Sequence, residues 1–346
     1  MQGFFVYNAG IMTTSPSKSK TPPARIITGI RPSANLTVAN LIGSVFPILD
    51  LQKGDTPIAV FVATMHGLTD HEAKEVVPNV LEVARDYLAL GLDPNRVTIF
   101  DQRSVRKEVA LLKLYLERHM TVARLVRVPT LKEKLKVGQN PENASALLAM
   151  YPIMMAADIL LQDATLVPVG KDQLAHIEAA RELARAFNAK YGNALVVPEA
   201  ANQKDPVNIL ALRGEGKMSK SKPDDAIFLV DTEAEIRKKV KRAETANPGE
   251  HSEKIDSLVF LAKTLAPEHA PAIDALVKRH MAGEKVMAVF KALLADLLVA
   301  FTGDFQAKRA KITNKDAAAV LAAGGAVAAK RAQEVLDRVE QSMGIV

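Results

Sequence analysis

Arg25-Ile-Ile-Thr-Gly-Ile-Arg-Pro-Ser33 is the stretch that decides the fold. Its first four residues form a short β-branched apolar run, which reads as a buried strand. Gly29 to Ser33 closes that strand with a turn cluster, and Leu36, Val38, Leu41, Val45 and Ile48 then recur at helical spacing. Strand, Gly/Pro turn and helix make the opening unit of a nucleotide-binding α/β fold, with phosphate expected at the helix N-terminus. Working outward, 58–63 reads as a second buried strand, 71–90 as a helix closed by Gly91-Leu-Asp-Pro94, and 97–100 as a third strand. The stretch 105–135 is helical and basic, with Arg124, Arg127, Lys132 and Lys134 and then Lys136 just beyond it. Residues 144–161 are apolar and Met-rich, and Tyr151-Pro152 predicts a new helix there with the proline in its first turn. A further strand at 164–169 leads into Gly170-Lys-Asp-Gln173, which opens a helix to Tyr191. This alternation predicts a Rossmann-type, doubly wound parallel sheet in an α/β protein.

Beyond about residue 225 the chain changes character. The spans 233–242, 255–265, 270–281, 286–301 and 317–343 all read as helices, so an all-α part follows the sheet. The expected division is a disordered leader over 1–23, an α/β domain over 24–222 and a helical domain over 223–346. The last helix is free to pack back on the first domain. Residues 13–23 are rich in Ser, Thr, Pro and Lys, and Met12 is a second candidate start.

The composition is that of an ordinary soluble globular protein, with 48% hydrophobic and 24% charged residues among 346. The absence of cysteine removes disulfides, thiolate chemistry and Cys-based zinc sites, and suits a cytoplasmic protein. A formal charge of +6 is compatible with a polyanionic partner. No apolar run reaches the roughly 18 residues that a membrane span needs. The seven histidines show no metal-ligand spacing, so no metal site is expected in the chain itself.

The chemistry concentrates in Gly214-Glu-Gly-Lys-Met-Ser-Lys-Ser-Lys222. Two lysines three apart, entered through two glycines, make a cationic loop suited to a polyphosphate whose charge moves during reaction. Lys217-Met-Ser-Lys-Ser221 resembles the signature loop of class I aminoacyl-tRNA synthetases. Thr37-Val-Ala-Asn40 stands in the slot of their earlier signature. Tyr151-Pro-Ile-Met-Met-Ala-Ala-Asp-Ile-Leu-Leu161, Val167-Pro-Val-Gly-Lys-Asp-Gln173 and the stretch from Gly91 through Gln102 are similar to the tryptophanyl-tRNA synthetases of bacteria. The resemblance runs from about Ile26 to the C-terminus.

That resemblance implies a ligase that activates L-tryptophan with Mg2+-bound ATP and passes it to tRNA(Trp), in a cytoplasmic homodimer joined through the region between the two signatures. It assigns Lys217, Lys220, Thr37, Asn40 and Lys134 to catalysis at the phosphates. ATP would lie against Arg31, Pro32, Ser33, Ala39, Asn40, Gly170, Lys171, Asp172 and Ile209, with Met218, Ser219 and Ser221 from the loop. Asp158 would accept the indole N–H, and Tyr151, Met155, Gln173 and His66 would complete the amino-acid pocket. From the residues alone, Asp158 reads as a carboxylate satisfied by a helix N-terminus or an arginine, and His66 as an ordinary satisfied histidine. The helical domain would meet the anticodon, with the basic run Arg237-Lys-Lys-Val-Lys-Arg242 as a phosphate contact. Neither DNA nor a membrane is an expected partner. Departures from the family pattern are Arg31, Ala34, Ala39, Thr64 and Lys171, where the pattern has glutamine, glycine, glycine, aspartate and an acidic residue. The alternatives are a tyrosine enzyme, which shares the architecture, an amino-acid-activating paralogue outside translation, which Arg31, Ala39 and Thr64 keep open, and an inactive RNA-binding homologue.

Overall fold

The computed structural model of the chain describes residues 23–33, 35–125, 144–170, 173–202 and 209–346. Five parallel strands form one sheet in the order β3-β2-β1-β4-β5. They are β1 (Ile26–Ile30), β2 (Ile58–Val62), β3 (Val97–Asp101), β4 (Leu166–Val169) and β5 (Glu199–Asn202). Ile26 registers with Ile58, and Ile58 with Val97. β2 is buried at all five positions, as a central strand covered on both faces must be, and this is why it reads as a continuous apolar run. β5 carries no β-branched or aromatic residue and was not expected; its pairing with β4 rather than its own propensity makes it a strand. The order reverses between β1 and β4, so a crevice opens there at the C-terminal ends of the strands.

Helix α1 (38–51) follows β1, α2 (Ala73–Ala89) follows β2, and α3 (Arg106–Glu117) follows β3. α1 includes a π-helical stretch, Leu41–Val45, which ends one residue before Phe46-Pro47 starts the next turn. Proline has no N–H to give the preceding turn, and a wider turn accommodates that loss. The expected break at Tyr151-Pro152 does not occur. Helix α4 (Ala146–Leu160) starts at Ser145, whose hydroxyl accepts from Leu148 N–H at 3.2 Å, and runs straight through Pro152. An interior proline costs roughly 3 kcal/mol. Burial of nine of the helix's side chains, Ile153, Met154 and Leu160 among them, outweighs that cost. α5 (Leu174–Tyr191) follows β4.

The C-terminal helices are α6 (Glu233–Arg242), α7 (Glu253–Leu265), α8 (Ala270–Met281), α9 (Met287–Ala310) and α10 (Asn314–Met343). α9 continues past the expected end near 301 because Thr302 and Phe305 are buried in its next turn.

The two faces of the sheet feed two cores. Ile26, Ile30, Val60 and Ile99 pack with residues of α6 to α9, including Ile236, Leu261, Phe290 and Leu294. Ile27, Phe61 and Phe100 pack with α3, α4 and α5. Helix α10 gives Ala317 and Leu321 to the first core, and Ala328, Ala332 and Val335 to the second. It therefore crosses from one face to the other over β3, the edge strand. At the crossing stand Gly324 and Gly325, where a Cβ would lie 2.0 Å from the Ile99 carbonyl oxygen and 2.5 Å from Ser104 Oγ.

Candidate active site

The turn after β1 supplies the first part of the site. Thr37 and Asn40 close a capping box at the start of α1. Thr37 N–H and Oγ1–H donate to Asn40 Oδ1 at 3.1 and 3.0 Å, and Asn40 N–H donates to Thr37 Oγ1 at 3.2 Å. The Thr37 hydroxyl, buried, is spent within that box, whereas the Asn40 amide nitrogen takes no part in it. Pro32 is buried, Ser33 and Ala39 are half-buried, and the Ala39 methyl packs against the core. Arg31 points outward, 67% exposed, and pairs with Asp70 at 3.5 Å.

The lysine loop is a hairpin seated on this turn. Met218 N–H donates to Ile209 C=O at 2.8 Å and Ala211 N–H to Gly216 C=O at 3.0 Å. Gly214 and Gly216 turn the chain with positive φ, +65° and +93°. Behind the loop, Val38 N–H donates to Ile227 C=O and Leu229 N–H to Leu36 C=O, which ties the returning chain to the start of α1. Ile209 and Met218 are buried beneath the hairpin, Lys217 is exposed, and Ser219 and Ser221 hydroxyls bond to each other at 2.9 Å. Lys220 reaches across and donates to both the carbonyl and the hydroxyl of Ser33 at 2.9 Å. Burial holds its ammonium below the ordinary lysine range, and Asp86 pulls the other way.

The third part lies beyond the C-terminal ends of β2 and β3. Asp158, on α4 and 4% exposed, meets neither a helix N-terminus nor an arginine among the described residues. Gln102 Nε2 donates to both its oxygens at 2.9 and 2.8 Å, and His66 Nε2 lies 2.9 Å from Oδ2. Three of the roughly four lone-pair sites of the carboxylate are engaged, which leaves capacity for one further donor. Tyr151 is buried, its hydroxyl 3.1 Å from His176 Nε2 and its ring edge-on to His66 at 6.4 Å. Met154 is buried beside it and Met155 half-buried. Gly170 and Gln173, both half-buried, lie at the end of β4 and the start of α5. Lys134, Lys171, Asp172 and Ala34 lie outside the described residues.

The parallel sheet thus brings Ser33, His66, Gln102 and Gly170 to the same edge, one from each of four neighbouring strands. The family of class I tRNA synthetases for tryptophan and tyrosine (W and Y) matches residues 18–316. The tryptophan–tRNA ligase of Chlamydia caviae is 35% identical over 83% of this chain and 86% of its own length. That of Treponema pallidum is 35% identical over 93% of this chain and 97% of its own. This chain belongs to the class I tryptophan–tRNA ligases. Among solved structures, the tryptophanyl-tRNA synthetase of Campylobacter jejuni complexed with ADP and tryptophan superposes with a TM-score of 0.80 at 29% identity. The match covers 92% of this chain and 99% of that one.

Within this class I ligase, a residue of the candidate site that sequence reasoning passed over is Gln102, which donates to Asp158. The signal was available: a polar pair, Asp101-Gln102, stands at the C-terminal end of an apolar parallel strand, and that is where α/β sheets place their ligand groups.

Proposed function

We propose that the chain activates L-tryptophan with ATP and transfers the tryptophanyl group to tRNA(Trp). The observation that carries the reading is the convergence on one crevice of Lys220, seated on Ser33, and the buried Asp158 carboxylate with room for one more donor. Indole is a donor-only ring that offers one N–H, and Asp158 is matched to it. In the first step a tryptophan carboxylate oxygen attacks the α-phosphorus, the bond to the bridging oxygen breaks, and pyrophosphate departs. In the second, a ribose hydroxyl of the terminal tRNA adenosine attacks the carbonyl carbon and AMP departs.

No side-chain nucleophile is required; the chain positions the reactants and stabilises charge. Asp158 fixes the indole, His66 and Gln102 fix Asp158, and Met154 and Met155 line the ring. Tyr151 and Gln173 hold the α-amino group. Ser33 and the Asn40 amide nitrogen, which the capping box leaves unused, meet the phosphates, with Asp172 on the ribose and Ile209 under adenine. Lys220 exchanges the neutral Ser33 acceptors for the departing pyrophosphate, joined by Lys217 and Lys134. Mg2+ carried in with the triphosphate would take phosphate oxygens as its ligands and would neutralise part of their charge. Among the described residues no three His, Asp or Glu side chains converge on a metal site.

The remaining assignments rest on surface features. In the basic run of α6, Arg237 pairs with Glu233 and Asp296, and Lys239 with Asp231. Lys238, Lys241 and Arg242 stay exposed for anticodon phosphates. Leu111 and Leu114 on α3, Val122, and Leu147 on α4 are exposed apolar residues in the region expected to join two copies into a homodimer. The described helices include none long and apolar enough to cross a membrane, and the cytoplasm is the proposed site of action.

The deciding experiment is amino-acid-dependent pyrophosphate–ATP exchange, followed by charging of tRNA. Exchange with tryptophan alone, abolished in Asp158→Ala and Lys220→Ala, is the expected result. Exchange with tyrosine instead would keep the chemistry and overturn the substrate.

A further inference from the structure

Two side chains next to the amino-acid pocket are buried, polar and unused by the reaction just described. Thr64 opens the turn after β2, 2% exposed, and Asp101 ends β3, 6% exposed. The Thr64 hydroxyl donates to Asp101 Oδ1 at 2.7 Å. The same oxygen accepts Arg103 N–H at 2.9 Å, and Oδ2 accepts the Arg103 guanidinium at 2.6 Å. One residue further on, Gln102 repeats the bridge: its Oε1 accepts Met65 and His66 N–H at 2.8 and 3.3 Å while its Nε2 spans Asp158. The turns after β2 and β3 are therefore stitched twice, once by Thr64–Asp101 and once by Gln102.

We infer that Thr64 and Asp101 are positioning residues that set amino-acid selectivity. The Gln102 amide can face Asp158 in two ways, nitrogen first or oxygen first. Only the first satisfies the carboxylate, and it requires the 65–66 N–H groups to stand at Oε1. Thr64–Asp101 holds those groups there, because it joins the residue before Met65 to the residue before Gln102. With the stitch in place, the amide supplies two of the bonds on Asp158, His66 supplies another, and the last acceptor direction points to the substrate. Without it, the amide rolls, Asp158 turns toward whatever donor is near, and the pocket loses its preference for a ring that carries N–H. The inference rests on the proposed tryptophan reading, which it deepens.

Asp101 also caps the short helical turn Gln102–Val105, so a purely structural role is the competing account. The test must move something that a weakened cap would not. Pyrophosphate–ATP exchange is run with tryptophan and with benzothienylalanine, a near-isostere in which sulfur replaces the ring N–H. The variants are Thr64→Val, which removes only the hydroxyl and leaves the Asp101 cap in place, and Asp101→Ala, which removes the acceptor that stitch and cap share. Each should raise KM for tryptophan about tenfold, leave KM for ATP within about twofold, and lower the tryptophan/benzothienylalanine ratio of kcat/KM about tenfold. Thr64→Asp sets two carboxylates against each other and should lose more, whereas Thr64→Asp with Asp101→Thr reverses donor and acceptor and should recover the ratio to within about threefold. Equal losses on both amino acids, or no loss in either single variant, would overturn the inference, as would a reversed pair no better than Thr64→Asp alone. A wild-type chain that exchanges with tyrosine and not tryptophan strikes at the functional reading instead. A wild-type chain active with tryptophan whose variants keep the ratio overturns only this one.

Discussion

Lys220 carries the sharpest prediction at the scale of single residues. It sits half-buried on two neutral Ser33 oxygens, ready to exchange them for phosphate. Lys220→Ala should reduce exchange by at least about a hundredfold, the loss typical of removing one preorganised charge-stabilising group. Its pH dependence has a definite sign. A lysine is charged below its pKa, and burial lowers that pKa, so the charge is lost earlier as pH rises than in an ordinary lysine. The alkaline limb of the exchange profile should fall below the ordinary lysine range, and Lys220→Arg should move that limb upward while lowering the rate, which a pH profile of the two proteins would reveal. Loss of the alkaline limb at the ordinary lysine pKa in the wild type would argue that the ammonium is solvated in the working enzyme.

Elements make their own predictions, and two glycines in neighbouring helices separate packing from propensity. Gly324 lies where α10 crosses the edge strand, and a Cβ there meets the Ile99 carbonyl oxygen at 2.0 Å. Gly303 lies within α9 and a Cβ there meets nothing within 4 Å. Alanine is the better helix former by about 1 kcal/mol, so Gly303→Ala should stabilise the protein by up to that amount. Gly324→Ala should destabilise it by about 2 kcal/mol or more, because backbone cannot move aside as a side-chain tip can. Chemical denaturation of the two variants checks both signs. At the far end of α9, Arg309 pairs with Asp86 and Glu82 of α2. Burial pushes the Asp86 carboxyl above the ordinary range, with Arg309 partly offsetting it. Arg309→Met leaves that carboxylate without its partner and should cost about 3 kcal/mol near neutral pH. A group whose folded pKa is raised supports stability fully only below its unfolded value, so this loss should shrink as pH falls and Asp86 takes up a proton, visible as converging Tm values in acid.

Across the whole molecule the lysine hairpin is held from two sides. Lys220 ties it to the β1 turn, while Lys254 of α7 donates to the Ala211 and Gly214 carbonyls and Glu244 accepts Gly214 N–H. Ligands that bind across this junction should stabilise the entire chain. Tryptophan with a non-hydrolysable ATP analogue, each at about a hundred times its Kd, should add several kcal/mol, about 2.7 for each independent site. A thermal shift with both ligands that equals neither single shift nor their sum would report coupling between the two halves of the crevice. The exposed apolar residues predict the assembly: Leu114→Asp with Val122→Asp should convert a dimer to a monomer in light scattering, and a wild-type monomer would rule the homodimer out.

Much of this protein is legible in its sequence. Period and punctuation placed β1 to β4 to within a few residues and found the long helices, α4 and α9 running well beyond their expected limits; buried parallel strands are apolar throughout and amphipathic helices repeat near 3.6. The lysine string and the polar residues after β1 and β4 marked the site, because loops at strand ends need glycine, proline and phosphate-binding groups that stand out locally. Tertiary structure alone decided the rest. β5 exists because β4 offers it an edge, and α4 survives Pro152 because its surroundings bury it. Asp158 is satisfied by His66 and Gln102, 92 and 56 residues earlier in the chain, rather than by an arginine. Thr64 finds its carboxylate across a strand, 37 residues away. Periodicity is a local property and survives in one dimension. A hydrogen bond between two strand ends depends on sheet order and register, which the chain acquires only when it folds.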